Sequence, residues 1–162
     1  DLAQIEAGAL PLATVAVDLH AEAEAAVTAL QPLAQVRGIA LTCTGPPTAA
    51  RADRAALARV FTNLIGNAIK FTERGTVAVE VWPEGGGAWL RVSDTGVGID
   101  AAFLPRVFDD FEQESTGANR SHEGSGLGLT ITQGLVSKMQ GEIAVTSEKG
   151  VGSSFTVCLP AV

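Results

Sequence analysis

Four short segments follow one another along the chain, and their residue types together predict a site for a nucleoside triphosphate with its magnesium ion. Carboxamides supply neutral oxygen ligands for a metal, a carboxylate accepts hydrogen bonds from the edge of a base, and glycine-rich backbone that opens onto a helix attracts phosphate. Each segment alone is a weak signal. The segments are Asn63–Phe71, Asp94–Gly98, Gly124–Leu129 and Gly150–Gly152.

The first segment places two carboxamides and an amine on one edge of a predicted helix. Asn63, Asn67 and Lys70 are spaced i, i+4 and i+7, so they fall within about 60° of arc. An amide oxygen suits magnesium, and an ammonium one turn later suits phosphate oxygens. In isolation a solvated polar face is the simpler interpretation, although two asparagines of poor helix propensity need an explanation.

The second and third segments combine glycine with a group that recognises a ligand. Asp94 follows a predicted strand and can accept a hydrogen bond from an exocyclic amine, while its glycines let backbone approach a flat ring. For this segment alone, a simple Asp-X-Gly turn is the favoured interpretation. Gly124–Leu129 leads into a predicted helix whose free N–H groups attract phosphate. It lacks the preceding strand of a dinucleotide site and the Gly-Lys-Ser/Thr of a Walker loop.

Composition and charge exclude several classes of protein. The 162 residues suit one domain, and a net charge of -7 without clustered Lys or Arg argues against a nucleic-acid surface. No apolar stretch reaches the roughly 18 residues that span a bilayer. No secretory signal is visible, and the start at Asp1 without methionine suggests a fragment. We expect a cytoplasmic location for this fragment, and membrane anchoring of the full-length protein stays open. Cys43 and Cys158 are interpreted as buried thiols and His122 as a surface residue, while His20, at the start of a helix, has no metal-ligand partner at useful spacing.

Hydrophobic periodicity predicts an α+β fold, a two-layer α/β sandwich with three helices on one face of a mixed sheet of about five strands. The predicted helices are Leu19 to about Val36 capped by Asp18, Arg54 to about Phe71 capped by Asp53, Leu127–Met139, and a short one over Ala101–Phe111. The predicted strands are Ile39–Thr44, Thr76–Trp82, Ala88–Asp94, Glu142–Ser147 and Ser153–Leu159. Glu84–Gly87 is expected to form a longer hairpin loop, and Glu112–Gly124 a mobile loop of the lid type.

In this order the motifs resemble the catalytic ATP-binding domain of sensor histidine kinases, which shares the Bergerat fold with gyrase, Hsp90 and MutL-type ATPases. The resemblance covers nearly the whole chain. It implies that residues 1–10 are the end of a dimerisation helix and residues 11–162 the catalytic domain. The matching segments are Asn63–Thr72 (N box), Asp94–Gly98 (first glycine box), Phe108–Phe111 (F box), Gly124–Leu129 (second glycine box) and Gly150–Gly152 (third glycine turn).

The resemblance also implies a role for individual residues. Asn67 would coordinate magnesium, Asn63 would support the phosphates or the metal, and Lys70 would contact phosphate oxygens. Asp94 would bind the adenine amino group. Further nucleotide contacts are implied for Phe71, Gly96, Gly98, Ile99, Gly124, Ser125, Gly126, Leu127, Gly128, Leu129 and Thr156, with Arg120 as a candidate for the γ-phosphate. Glu123 departs from the glycine found in many members, and the phosphate-accepting histidine is not in this sequence.

The implied function is ATP–magnesium binding and transfer of the γ-phosphoryl group to a histidine on the adjoining dimerisation domain, with a response regulator or receiver domain as the next partner. Hydrolytic relatives carry a glutamate where this chain has Asn63, which favours transfer to protein over hydrolysis. The fragment is expected to be monomeric. Alternatives are a nucleotide-gated interaction module without turnover, an ATPase clamp of the gyrase or chaperone type, and a serine/threonine kinase for an anti-sigma partner.

Overall fold

A computed structural model describes residues 12–108 and 126–162. Three α-helices lie within these ranges: α1, Leu19–Val36; α2, Arg54–Lys70; and α3, Gly126–Lys138. The strands are β1, Val15–Asp18; β2, Ile39–Thr44; β3, Ala49–Ala52; β4, Gly75–Glu84; β5, Gly87–Asp94; β6, Glu142–Glu148; and β7, Gly152–Pro160. None of these helices is both long enough and apolar enough to cross a membrane.

The main sheet has five strands in the order β2-β4-β5-β7-β6. β2 pairs with β4 in parallel and the remaining pairs are antiparallel, so the sheet is mixed. Alternate residues of β4, β5 and β7 are buried and form one hydrophobic core with the three helices. The predicted α+β class, the mixed five-stranded sheet and its three helices are confirmed.

Both predicted helix caps are confirmed. Asp18 accepts hydrogen bonds from the N–H groups of His20 (3.1 Å) and Thr48 (2.9 Å), so it also holds the loop before β3. Asp53 accepts from the N–H of Ala56 at 2.9 Å, and this bond holds the pKa of the carboxyl below its ordinary value. Each cap satisfies a backbone donor that the first turn of a helix leaves unpaired.

A two-stranded ribbon of β1 and β3 was not predicted. The sequence of β3 is Ala-Ala-Arg-Ala, which has little β-propensity. Pairing with β1 and complete burial of Ala50 and Ala52 select the extended conformation here. Tertiary packing therefore decides this element.

Two further predictions are corrected. The β4–β5 loop is shorter than expected, because the strands pair as far as Glu84 and Gly87 and only Gly85 and Gly86 turn the chain. Their φ angles of 59° and 80° match the tight turn that suits the twist of a hairpin.

The short helix predicted over Ala101–Phe111 is only partly present in its described residues. They form turns and a single 3₁₀ turn, Leu104–Arg106, in which Pro105 offers no N–H to an α-helical ladder. The predicted helix end within residues 1–10, the lid-like loop Glu112–Gly124, and Arg120, His122 and Glu123 lie outside the described residues.

Candidate nucleotide site

The polar edge of α2 lies where the spacing predicts. Asn63, Asn67 and Lys70 are all half-buried, next to the buried stripe that includes Leu64 and Ala68. The apolar stripe anchors the helix against the sheet, and the polar edge stays accessible beside it.

Asn63 and Asn67 have different surroundings. The Asn63 side-chain nitrogen donates to the hydroxyl of Thr132 at 3.1 Å and to the carbonyl of Gly128 at 3.4 Å, which ties α2 to the first turns of α3. The Asn67 carboxamide makes no hydrogen bond within the described ranges. Its amide atoms are accessible to solvent, because every buried side-chain nitrogen or oxygen in the described ranges has a hydrogen-bond partner. Asn67 is therefore available to a ligand, as a magnesium-binding carboxamide must be.

The end of α2 meets the first glycine box directly. The carbonyl of Phe71, which ends the helix, accepts a hydrogen bond from the N–H of Val97 at 3.2 Å. Gly96 lies so close that a Cβ there would contact the Phe71 carbonyl and come within 2.9 Å of the Thr72 hydroxyl. Thr72 is buried and donates to the carbonyl of Ala68 at 2.7 Å. This packing brings Phe71, Gly96 and the polar edge of α2 together.

Asp94 is the last residue of β5, and only one of its two carboxylate oxygens accepts hydrogen bonds from the described residues. Its Oδ1 accepts from the N–H groups of Gly96 (2.9 Å) and Ser153 (3.3 Å). Its Oδ2 accepts no hydrogen bond from the residues that the structure describes. Burial raises the pKa of Asp94, and the bonds from the Gly96 and Ser153 N–H groups oppose that shift. Asp94 is thus held in one orientation with an acceptor oxygen to spare.

The turn between β6 and β7 packs against the first glycine box. Gly98 has a φ of +73° and no room for a Cβ, which would overlap the backbone of Glu148 and Lys149. The N–H of Gly150 donates to the carbonyl of Val97 at 2.7 Å. Gly150–Gly152 therefore braces the first glycine box in these contacts.

Ser147, in β6, also holds the segment that follows the first glycine box. Its hydroxyl accepts from the N–H of Ile99 at 2.7 Å and lies 2.8 Å from the hydroxyl of Ser153. It also lies 3.0 Å from the carbonyl of Gly152, to which it can donate. Ile99, a predicted site residue, is thus tied to β6 through its backbone.

The structure does not bring Thr156 to this group. Along β7 the residues Ser153, Phe155, Val157 and Leu159 are buried, and Thr156 belongs to the alternate, half-exposed set. Thr156 pairs with Arg91, whereas Asp94 pairs with Ser153. Since side chains alternate between the two sheet faces, Thr156 lies on the face opposite to Asp94 and Ser153. Ser153 is the residue that sequence reasoning missed; the strand register would have revealed it.

The second glycine box is described only in part. Gly128 and Leu129 are half-buried in the first turns of α3, and a Cβ on Gly128 would meet no atom of the described residues within 4 Å. Gly126 and Leu127 lie in the helix backbone, and Gly124 and Ser125 lie outside the described residues.

Of the F box, only Phe108 is described. Its ring meets Phe155 edge-on at 6.2 Å, and its carbonyl accepts from the hydroxyl of Thr130 in α3 at 2.9 Å. These contacts join Phe108 to the core and to α3.

Comparison with known proteins agrees with this geometry. Residues 52–162 match the family described as histidine kinase-, DNA gyrase B-, and HSP90-like ATPase. The sensor histidine kinase RcsC of Escherichia coli K12 is 47% identical over 114 residues, which cover 70% of this chain and 12% of RcsC. The circadian input-output histidine kinase CikA of Synechococcus elongatus is 39% identical over 165 residues, which cover 99% of this chain and 22% of CikA.

A solved structure gives the same result for the fold. Full-length ShkA in complex with AMPPNP matches with a TM-score of 0.87 and 30% identity, over 99% of this chain and 34% of that one. The chain therefore spans a minor part of the length of each of these relatives.

Proposed function

Because this chain belongs to the histidine kinase-, DNA gyrase B-, and HSP90-like ATPase family, we propose that it binds ATP with magnesium and provides the γ-phosphoryl group to a histidine of an adjoining dimerisation domain. The observation that carries the proposal is a pair of acceptors, on connected elements, that accept no hydrogen bond from the residues the structure describes. These are the Asn67 carboxamide oxygen and Asp94 Oδ2. One suits the metal end of ATP and the other suits its base.

Asp94 would select adenine. Its Oδ2 accepts a hydrogen bond from the exocyclic amino group, whereas guanine carries a carbonyl oxygen at the equivalent position and would be repelled. The backbone of Gly96 and Gly98 would lie against the ring, with Phe71 beside it. Asp94 is held for this task by two backbone N–H groups.

The polar edge of α2 would hold the triphosphate. Asn67 would bind the magnesium ion, which supplies positive charge to the phosphate oxygens. Lys70, half-buried one turn later, would add a second positive charge. Backbone N–H groups at the start of α3, from Gly126 to Leu129, would contact phosphate together with Gly124 and Ser125.

Phosphoryl transfer of this kind depends on positioning and charge compensation. A neutral imidazole nitrogen attacks the γ-phosphorus, an N–P bond forms, the bond to the β–γ bridging oxygen breaks, and ADP leaves. The imidazole is nucleophilic in its neutral form, so the site needs no strong base for this step. The carboxamide of Asn63 cannot act as one.

Further partners follow from this role. The dimerisation domain would carry the acceptor histidine, with residues 1–10 as its last helical turns, and a response regulator or receiver domain would take the phosphoryl group next. This chain alone is expected to be monomeric, which size-exclusion chromatography with light scattering would check.

Nucleotide binding is the first test. Isothermal titration calorimetry of this chain should show binding of ATP with Mg²⁺ and at least tenfold weaker binding of GTP. Asn67→Ala should remove the magnesium-dependent part of the affinity, and Asp94→Ala should remove binding. Absence of heat with ATP and Mg²⁺ would overturn the proposal.

Transfer is tested in the full-length protein. Incubation with γ-³²P-ATP should give acid-labile, alkali-stable label on histidine, whereas this chain alone should bind ATP and take up no label. Tight ATP binding without labelling of the full-length protein would favour a nucleotide-gated interaction module instead.

A further inference from the structure

Thr132 is a polar residue inside an apolar contact between α2 and α3. It is completely buried, at 0% exposure, and its neighbours Ile131 and Leu135 belong to the core. Its hydroxyl donates to the carbonyl of Gly128 at 2.7 Å and accepts from the Asn63 side-chain nitrogen at 3.1 Å. A buried hydroxyl that donates one hydrogen bond and accepts another is held in one orientation.

The bonding pattern decides which end of the Asn63 carboxamide faces α3. The Gly128 carbonyl can only accept, and the single hydroxyl proton of Thr132 is already committed to that carbonyl. Both groups that face Asn63 from α3 are therefore acceptors, so the amide nitrogen must point toward them. The orientation follows from donor and acceptor chemistry alone, which settles the usual ambiguity of an amide.

The consequence for Asn63 is that its oxygen points away from Thr132 and Gly128. An amide oxygen is an acceptor and a metal ligand, and it repels a bare phosphate oxygen. It fits a magnesium ion or a water molecule bound to that ion. Asn67, one turn along the same edge, has a carboxamide that makes no hydrogen bond with the described part of the chain.

We propose that Thr132 is a positioning residue, whose hydroxyl turns the oxygen of Asn63 toward the magnesium ion of bound ATP. This inference rests on the proposed function and deepens it, because it assigns the side-chain oxygen of Asn63 to the metal. Thr132 touches neither ATP nor the metal in this scheme and acts only through Asn63.

The test uses substitutions that separate the hydroxyl from the volume of the side chain. Thr132→Val keeps the shape and removes the hydroxyl, so it should weaken binding of Mg²⁺–ATP about tenfold and leave binding of magnesium-free ATP within twofold. Thr132→Ser keeps the hydroxyl and should restore the affinity. Should the valine variant fail to fold, Thr132→Ala removes the same hydroxyl with less steric demand.

Thr48 offers a matched control. It is also buried, its hydroxyl donates to the carbonyl of Pro46 at 2.9 Å, and it lies outside the proposed site. Thr48→Val should lower the melting temperature as Thr132→Val does and leave nucleotide affinity unchanged.

Two further measurements distinguish positioning from a general loss of stability. In an Asn63→Ala background, Thr132→Val should cause no additional loss of Mg²⁺–ATP affinity. The side-chain amide resonances of Asn63 should shift in Thr132→Val without nucleotide and return to their positions in Thr132→Ser.

Several outcomes would overturn the inference: equal Mg²⁺–ATP affinity in Thr132→Val and the wild type, equal weakening with and without magnesium, failure of Thr132→Ser to restore binding, or additive losses with Asn63→Ala. If the wild type binds no ATP, the proposed function fails and this inference fails with it. If the wild type binds and Thr132→Val is unchanged, only this inference fails.

Discussion

The carbonyl of Phe71 accepts a hydrogen bond of 3.2 Å from the N–H of Val97, and this bond joins the end of α2 to the loop that follows β5. It connects the helix that carries the carboxamides with the loop that begins at Asp94. In the proposed function these two elements hold opposite ends of one ATP molecule. The distance between metal ligand and base acceptor is thus set by a main-chain contact.

Gly96→Ala tests this contact. An added Cβ would overlap the Phe71 carbonyl and lie 2.9 Å from the Thr72 hydroxyl, so the loop must move away from α2. We expect ATP affinity to fall at least tenfold and stability to fall by about 1–3 kcal/mol, measured by calorimetry and urea unfolding.

Gly66→Ala is the matched control for that substitution. Gly66 lies in α2, and within residues 12–108 and 126–162 a Cβ there would meet nothing within 4 Å. Alanine should raise stability by up to about 1 kcal/mol, since glycine is the poorer helix former, and ATP affinity should stay the same. Normal ATP binding by Gly96→Ala would show that the Phe71–Val97 contact does not set the site.

Asp94→Asn separates stability from recognition. The asparagine oxygen can accept the same bonds from Gly96 and Ser153, but its NH₂ group would face the adenine amino group. ATP affinity should fall at least a hundredfold in calorimetry, with the fold retained. Undiminished ATP binding would remove Asp94 from the proposed site.

The pH dependence of stability gives a second measurement on the same variant. Because burial raises the pKa of Asp94 above its ordinary value, the stability linked to its protonation is present at low pH and is lost as pH rises through the raised pKa. The Asp94→Asn variant carries no titratable group at this position, so it does not lose this stability as pH rises. Its melting temperature relative to the wild type should therefore increase from acidic to neutral pH, and a constant difference would contradict the shift.

Asn63→Glu tests the absence of a base at this position. A carboxylate can activate water, so background ATP hydrolysis should increase, as measured by phosphate release. It cannot donate to Thr132 or to the Gly128 carbonyl, so stability should fall by about 1–3 kcal/mol. Unchanged hydrolysis in a folded variant would weaken the argument about the base and leave the kinase proposal untouched.

Ser147→Ala tests the support behind the glycine box. The N–H of Ile99 would lose its acceptor and Ser153 its hydroxyl neighbour, at a cost of about 1–2 kcal/mol. We expect a few-fold loss of ATP affinity, because the loop that carries Gly98 is no longer held. Both quantities can be followed by thermal unfolding with and without ATP.

Ser154→Ala is the control on the other face of the sheet. Ser154 and Ser93 share a hydrogen bond of 2.9 Å between their hydroxyls, on the face opposite to Ser153. Its loss should cost a similar amount of stability and leave ATP affinity unchanged. Equal effects of the two serine variants on affinity would argue against a specific role for Ser147.

Local patterns in the sequence were enough for the helices and for much of the site. The apolar stripe of α2 orients Asn63, Asn67 and Lys70 along one edge, and Asp18 and Asp53 begin their helices, because these effects act within one or two turns. The five main strands likewise follow from apolar runs bounded by turn residues.

The rest depends on contacts between residues distant in sequence. β3 forms because Ala50 and Ala52 are buried beside β1, and Ser153 rather than Thr156 joins Asp94 because of the β5–β7 register. The link from Asn63 to Thr132 spans 69 positions. Residue types and local periodicity are sufficient to identify the chemical groups and the faces of the elements that carry them. Which of these groups meet depends on the folded chain, because strand register and helix packing set the distances between them.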